Sequence, residues 1–304
     1  MKALIVAREK GGKYAPFITE QAKALENNGV NIEFLGLTEK GLAGYTHEWL
    51  KFKKFIGGYK PDVIHAHYGL CGVLSNLQRT IPVVTTYHGS DINNSKILPF
   101  SKWSIKKSAF NIFVSQKNID IAKPKKEYAL IPCGINLDDY PVIGKREARE
   151  IMGLKEDGRY VLFAGAFDNM IKNAPLAKAA VSALHNVELL ELNGYSRMQV
   201  AILMQAVDSM VMTSYSEGSP QVIKEALACG CPIVSVDVGD VKDQTKGIRG
   251  CFISERSPDA IANYLNKAFQ FGKRTNGRER IIENGLTNDI IASKITDIYH
   301  SLTQ

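Results

Sequence analysis

In the segment YSEGSPQVIKEALACGCPIVSVDVGD, residues 215–240, two glutamates, Glu217 and Glu225, stand eight positions apart across the start of a predicted helix. A helix N-terminus offers partial positive charge and unsatisfied amides, so it suits an anion. Carboxylates at the same place need a further reason. Ser219 is read as the N-cap and Pro220 as the first helical residue, so the backbone N–H groups between Gly218 and Val222, with Gln221 among them, form a cradle for a phosphate or diphosphate. Glu225 lies roughly 7.5 Å further along the helix axis at 1.5 Å per residue. A carboxylate beside a phosphate is repelled unless it accepts hydrogen bonds from hydroxyls, and a nucleotide-sugar carries hydroxyls on both sides of its diphosphate. One glutamate would hold the sugar and the other the ribose. Spacing alone leaves a second reading open, in which Glu217 compensates the dipole and Glu225 faces solvent.

Two further segments carry chemistry. FAGAFDNMIKNAPLAK ends a strand at Gly165 and delivers Lys172 just before an amphipathic helix. A lysine there serves a diphosphate as a mobile point charge, or is an ordinary surface lysine. TTYHGSD places His88 at a strand end before Gly89, where a histidine is structural or functional. The pair His65 and His67 shares one strand face, but two ligands without a third predict no metal site, and no D-x-D triplet occurs. The five cysteines lack the spacing of a zinc or redox motif and read as reduced core thiols.

The elements that must position these residues follow from length and pattern. A chain of 304 residues, 45% hydrophobic, suits two α/β domains of roughly 150 residues each. The runs ALIVA, NIEFLGL, VIHAH, PVVTTYH, NIFVS and YALIP, then YVLFAGA, VELLELN, SMVMTS, PIVSVDV and GCFIS, read as strands with helical patterns between them. A β-α-β rhythm given twice predicts two doubly wound parallel sheets. The seam is expected in IPCGINLDDYPVIGKREARE, with a ligand cleft between the domains. No apolar run approaches the ~20 residues of a membrane span, and the start MKALIVAREKGG has no signal-peptide cleavage pattern, so a soluble intracellular protein is expected. The net charge of +7 is uneven: residues 1–133 hold 19 Lys and Arg against 10 Asp and Glu (+9), and residues 134–304 hold 19 against 21 (−2). In HEWLKFKKFIGGYK, Trp49, Phe52, Phe55 and Ile56 alternate with Lys51, Lys53 and Lys54, and Trp103 sits beside Lys102, Lys106 and Lys107. That mixture suits an anionic membrane surface; the other reading is solvated helix faces whose aromatics point into the core. No recognition motif for nucleic acid accompanies the charge.

Taken together, VIHAHYG, TYHGSD, IPCGINLD, FAGAFDNMIKN and above all EGSPQVIKEALACGCPIVSVDVGD resemble the retaining glycosyltransferases of sequence family four, and the resemblance covers nearly the whole chain. It implies an α/β GT-B fold, two doubly wound Rossmann-like domains facing across a cleft: an acceptor-side domain at 1–136, a nucleotide-sugar-binding domain at 137–286, and a terminal helix at 287–304 that returns to the first domain. It implies a catalytic set of His88 at the reacting end of the donor, Glu217 on the sugar hydroxyls and Lys172 on the phosphates. Donor binding falls to Gly12, Gly165, Gly218, Ser219, Pro220, Gln221, Val222 and Glu225. No metal or cofactor is implied; the donor is a nucleoside diphosphate sugar, a UDP-sugar favoured, and the acceptor a glycan or lipid-linked hydroxyl. The subtype is similar to bacterial surface-polysaccharide enzymes, cytoplasmic and peripheral on the inner face of the membrane. Two departures stand out: Ala166 occupies a position where the family often has an arginine, and Gly11 and Gly12 stand about one residue out of register. A GT-B sugar-nucleotide epimerase and a degenerate nucleotide-sugar-binding scaffold are the competing readings. A Rossmann dehydrogenase is disfavoured because REKGGKY lacks the spaced glycines.

Overall fold

The structure, a computed structural model, describes residues 1–39 and 41–304. In chain order its elements are β1 (Lys2–Arg8), α1 (Pro16–Asn27), β2 (Asn31–Leu37), α2 (Gly41–Tyr59), β3 (Val63–His67), α3 (Gly69–Ser75), β4 (Val83–Tyr87), α4 (Ser90–Asn93), α5 (Leu98–Lys107), β5 (Phe110–Phe113), α6 (Gln116–Ala122) and β6 (Tyr128–Leu130). They continue with α7 (Lys145–Met152), β7 (Arg159–Phe163), α8 (Ala174–Ser182), β8 (Val187–Glu191), α9 (Arg197–Ala206), β9 (Ser209–Met212), α10 (Gln221–Ala228), β10 (Ile233–Val236), α11 (Val241–Thr245), β11 (Cys251–Ser254), α12 (Pro258–Phe271), α13 (Gly277–Glu283) and α14 (Asn288–Thr303). The chain divides into one unit of Met1–Gly134 with Asn288–Gln304 and a second of Ile135–Thr287. The boundaries expected from the sequence fell at 136/137 and 286/287.

The first unit is an all-parallel sheet in the order β2-β1-β3-β4-β5-β6. Parallel strands joined by helical crossovers are covered on both faces, so their residues are apolar on both sides. β1 shows this directly. Ala3, Ile5 and Ala7 pack with Ile18, Ala22 and Leu25 of α1 and with Ile291, Ile295 and Tyr299 of α14. Leu4 and Val6 pack on the opposite face with Phe52 of α2 and with Cys71 and Leu74 of α3. α1 ends where Gly29, at φ +81°, takes the left-handed turn that a side chain would strain.

His65 binds α14 to the sheet: its Nδ1 lies 2.5 Å from the Tyr299 hydroxyl and its Nε2 2.7 Å from the Thr86 hydroxyl. Both ring nitrogens are thereby engaged. Burial lowers the imidazole pKa to about 3, so the ring stays neutral.

The aromatic residues of α2 turn inward. Phe52 is fully buried and Trp49, Phe55 and Ile56 pack against the same core, while Lys51, Lys53 and Lys54 are exposed. Of the two readings open for this segment, the aromatics here follow the one in which they point into the core, which leaves a lysine face with Leu50, 65% exposed, as its large apolar member. Amphipathic packing decided the phase of this helix, and the rings had more area to bury than the lysine stems. No helix among the described residues is long and apolar enough to cross a membrane.

The second unit is also all parallel, in the order β11-β10-β9-β7-β8. Its core runs through Val161, Leu162 and Phe163 of β7, Met210 and Val211 of β9, and Ile223 and Leu227 of α10. One local expectation is corrected here. Pro220 occupies the N-cap of α10 and Gln221 its first turn, so the helix starts one residue later than Ser219 and Pro220 suggested, and no side chain caps it. The five cysteines are free, four of them buried.

Candidate functional site

In the second unit the chain runs from β7 outward to β8 at one edge, then crosses back to β9 on the other side of β7. The strand order therefore reverses between β7 and β9, and the loops leaving their carboxyl ends diverge. Such a switch point is where open parallel sheets hold ligands. Lys172 comes from the loop after β7 and Glu217 from the loop after β9.

Several bonds stitch these loops together. Thr213 Oγ1 donates to the carbonyls of Lys172 (3.0 Å) and Asn173 (2.9 Å), and the Tyr215 amide donates to the Ile171 carbonyl (2.9 Å). The turn Met170–Lys172 is itself pinned by Asn169, whose side chain accepts from the Ile171 amide at 3.1 Å. The outcome is a direct ion pair, Lys172 Nζ to Glu217 Oε1 at 2.7 Å, with the side chains 21% and 15% exposed. Gly165 makes room for it: a Cβ there would sit 2.9 Å from Lys172 Cγ and 3.2 Å from Cδ. The lysine stem thus lies across a glycine because no other residue leaves space.

Behind Glu217 the loop rests on a second glycine. Gly239, at φ +58°, would place a Cβ 2.5 Å from the Gly218 carbonyl oxygen and 3.1 Å from Glu217 Cβ. Ser219 turns away from the helix start into a buried polar group. Its hydroxyl accepts from Lys224 Nζ and from Gln244 Nε2, each at 3.3 Å, and is hydrogen-bonded to the Asp240 carboxylate. Lys224, fully buried, donates also to Gln221 Oε1 at 2.7 Å, and Gln244 donates to Asp240 Oδ1 at 2.5 Å. Burial raises the Asp240 carboxyl pKa while the Lys224 charge pulls it down. Val222 lies in the first turn of α10, where a helix supplies no acceptor for its N–H. Glu225, half-buried, is the fifth residue of the helix.

The structure thus gathers Gly165, Lys172, Glu217 and the start of α10 around one switch point. His88 and Gly12 belong to the first unit. The His88 ring is half-buried: its Nε2 lies 3.0 Å from His67 Nδ1, its Nδ1 faces the Cys133 sulfur at 3.7 Å, and Tyr68 and Phe17 pack on it with centroids at 4.7 and 4.8 Å. Burial first, then the neighbouring His65 and His88, lowers the His67 pKa well below the ordinary range. The His88 amide and the Gly89 amide both donate to Asp91 Oδ1 (3.1 and 3.0 Å), and the Gly69 amide donates to Oδ2 (2.8 Å). Burial raises Asp91 to about 6 against the pull of these amides. Gly12 is accounted for locally. With Gly11 it forms a two-residue turn at φ +59° and +74°, closed by reciprocal backbone bonds between Lys10 and Lys13, a geometry that favours glycine at both positions.

Three residues of this architecture escaped the sequence reading. Arg256 donates to the Thr213 carbonyl (3.1 Å) and the Ser214 carbonyl (2.7 Å), with Tyr215 stacked 5.6 Å from its guanidinium, and so clamps the loop that carries Glu217. Lys224 sits in the quoted motif but reads as a surface helix lysine by composition. Gly239, in VDVGD, gave a usable signal: a glycine in the short loop between a strand and the next helix marks a close backbone approach.

Residues 15–139 match the model described as Glycosyltransferase Family 4, and residues 148–270 the model described as Glycosyl transferases group 1. A putative teichuronic acid biosynthesis glycosyltransferase, TuaC of Bacillus subtilis, is 30% identical over 243 residues, 68% of this chain and 61% of that protein. A D-inositol 3-phosphate glycosyltransferase of Mycobacterium leprae is 25% identical over 244 residues, 63% of this chain and 56% of that protein. The matches span 61% and 56% of the length of these relatives. Among solved structures, sucrose-phosphate synthase from Thermosynechococcus elongatus superimposes with a TM-score of 0.84 at 20% identity, covering 99% of this chain and 98% of that one. HepE of Anabaena, solved in complex with UDP-glucose, gives 0.80 at 16% identity over 99% and 100%. At such identities the likeness establishes the fold, which is GT-B.

Proposed function

We propose that this chain, of the glycosyltransferase family 4 and group 1 type, moves a sugar from a nucleoside diphosphate sugar to an acceptor hydroxyl with retention at the anomeric carbon. The observation that carries the reading is the Lys172–Glu217 pair, held beside the start of α10 at the switch point of the second sheet. In the transfer, the bond from the anomeric carbon to the phosphate oxygen breaks and its electron pair stays on the diphosphate. The acceptor oxygen bonds to that carbon on the same face, and its proton passes to the leaving phosphate. Charge builds on the diphosphate, so preorganised positive potential lowers the barrier.

An ammonium has three N–H donors. One of them reaches Glu217, which aims the lysine and leaves two for phosphate oxygens. The Val222 amide adds a backbone donor, and Glu217 is assigned to a sugar hydroxyl, as the family resemblance implies. Glu225 is assigned to the ribose and His88 to the reacting end of the donor, as the family resemblance implies. Lysine and helix dipole supply the potential, so the proposed transfer uses no metal. A UDP-sugar is the proposed donor, and assembly of a cell-surface glycan or glycolipid at the inner face of the membrane the proposed setting.

Incubating the purified chain with UDP-, GDP-, ADP- and dTDP-sugars, with and without glycan acceptors, tests this. The expected result is release of one nucleoside diphosphate, slow without acceptor, and a product whose anomeric configuration by NMR matches the donor. Isomerised donor without release would mean an epimerase. Binding without turnover would mean a scaffold. Either result overturns the transferase reading.

A further inference from the structure

The first unit holds a cavity of about 620 Å³ that none of the residues assigned to the donor lines, although the turn at its edge, between Lys10 and Lys13, contains Gly12. It too lies at a switch point. The order β2-β1-β3 reverses direction at β1, and the cavity is lined by residues at the carboxyl ends of these strands: Arg8, the last residue of β1, Tyr14 after it, Leu37, the last residue of β2, and Tyr68 after β3.

Its floor is apolar, from Ile18, Leu37, Leu70 and Ile97, and holds the Asp91 carboxylate, whose oxygens accept from the amides of Gly69, His88 and Gly89; two further kinds of surface meet above it. One is aromatic, from Tyr14, Tyr45 and Tyr68. Burial raises all three phenol pKa values, Tyr14 to about 12 with help from Glu9, so each ring keeps a neutral hydroxyl that can donate. The other surface is cationic, from Arg8, Lys10 and Lys13. Arg8 spends its guanidinium on the carbonyls of Glu39 (2.5 Å) and Thr38 (2.9 Å) rather than on a carboxylate, so its charge is not neutralised there. Lys10 and Lys13 stand directly opposite each other across the two-residue turn, and no ion pair joins either to a carboxylate among the described residues. Like charges paired across a hairpin repel, a cost that an anion between them would offset. Tyr68, meanwhile, is held at φ +75°, a strained position for a non-glycine residue, and its ring packs on His88 at 4.7 Å. The cavity thus has a cationic side on the turn and an aromatic side that reaches His88.

We propose that this cavity binds the acceptor, and that the acceptor is an acidic sugar: a ring whose C–H faces pack on the tyrosines and whose phosphate or carboxylate is received by Arg8, Lys10 and Lys13. The inference rests on the glycosyltransferase reading above and adds the chemical class of its second substrate. The reacting hydroxyl lies toward Tyr68 and His88.

The test is ligand-observed NMR on the full chain with glucose 6-phosphate, glucuronate, neutral glucose and inorganic phosphate, and with the double variant Lys10→Gln/Lys13→Gln. Both side chains are exposed and the turn is held by backbone bonds, so an unchanged melting temperature confirms that the variant folds. Glucose 6-phosphate, glucuronate or both should bind roughly tenfold or more tightly than glucose or phosphate alone, and the double variant should lose roughly that factor for the acids. Preference for the phosphate arm or the carboxylate arm identifies the acid. Equal binding of glucose, equal binding of bare phosphate, or undiminished binding of the acids by the variant would each overturn the proposal. UDP-sugar turnover is followed in parallel. Turnover with no acidic sugar bound sinks the cavity assignment alone, whereas acid binding that depends on the two lysines, without any turnover, sustains the cavity as an acidic-sugar site and sinks the transferase reading.

Discussion

Neutralising Glu217 should free Lys172 rather than disable it. At 2.7 Å the two charges attract with a gross Coulomb energy of about 6 kcal/mol at an effective dielectric of ~20. Most of that is offset by desolvation, because the side chains are only 21% and 15% exposed, which leaves a net of about 1–3 kcal/mol for a charge-assisted bond of this kind. Glu217→Gln keeps an acceptor oxygen for Lys172 but removes the competing anion. A nucleoside diphosphate should therefore bind the variant as tightly as the wild type or up to about tenfold more tightly, while kcat falls because the sugar loses an orienting contact that strengthens as its bond breaks. Lys172→Met acts in the opposite sense. It strands Glu217 beside the diphosphate, and affinity for both the diphosphate and the donor should fall by about 10–100-fold. Calorimetry with UDP on the two single variants and the double variant measures this, with steady-state rates on the matching donor. If UDP affinity drops equally in both single variants, or wild-type turnover survives Glu217→Gln, the pair is a structural clasp and the site reasoning fails.

Gly165→Ala should reproduce the weak diphosphate binding of Lys172→Met without touching the lysine, because the new methyl would meet Lys172 Cγ at 2.9 Å; a wild-type UDP affinity would refute this. Gly239→Ala should cost about 1–2 kcal/mol in a denaturant titration and lower donor affinity as well, since its φ of +58° and the 2.5 Å approach to the Gly218 carbonyl both exclude a side chain. Stability should fall as pH drops below 6.5, because the unfolded chain protonates His65 and His67 while their folded pKa values are depressed; the slope is at most about 1.4 kcal/mol per pH unit for each, opposed between about 6 and 3.8 by the raised pKa of Asp91. His65→Gln should flatten that acid limb, and an unchanged limb would show that the histidine is not its source. Anionic vesicles should capture the protein through Lys51, Lys53 and Lys54 by charge alone, releasing it in salt and without a tryptophan blue shift from Trp49, whose ring is packed on Phe52 at 5.6 Å; salt-resistant binding would contradict this.

The strands were legible for a physical reason. A central parallel strand is buried on both faces, so ALIVA, VVTTY and YVLF appear as compact apolar runs whatever their partners are. The phase of α2 was not legible, because aromatics and lysines alternate in it and either face could have turned inward; only the packing of Phe52 against Leu4, Val6 and Leu74 settles it. Boundaries set by one residue's preference were also fragile. Proline favours the first helical position, yet Pro220 sits at the N-cap of α10, because Ser219 is drawn into the bonds with Lys224, Gln244 and Asp240 and is not left to cap the helix.

The candidate site was legible as pieces and not as an arrangement. Glu217 and Lys172 were singled out on separate local grounds, one as an acid near a helix start and the other as a base after a strand. What joins them is a crossover that brings residues 45 positions apart to 2.7 Å, and no local spacing encodes it. Lys224 shows the same limit from the other side. Beside Glu225 on a helix it reads as one more solvated charge, yet it is fully buried and bonded to Ser219 and Gln221 in the loop and first turn that the donor would meet. A buried ammonium is costly unless its donors are met, and here the neighbours that meet them are the residues shaping the cradle. The polar character of EGSPQVIKE therefore has two sources: Glu217 faces the proposed ligand, whereas Ser219, Gln221 and Lys224 hold one another and Asp240 behind it.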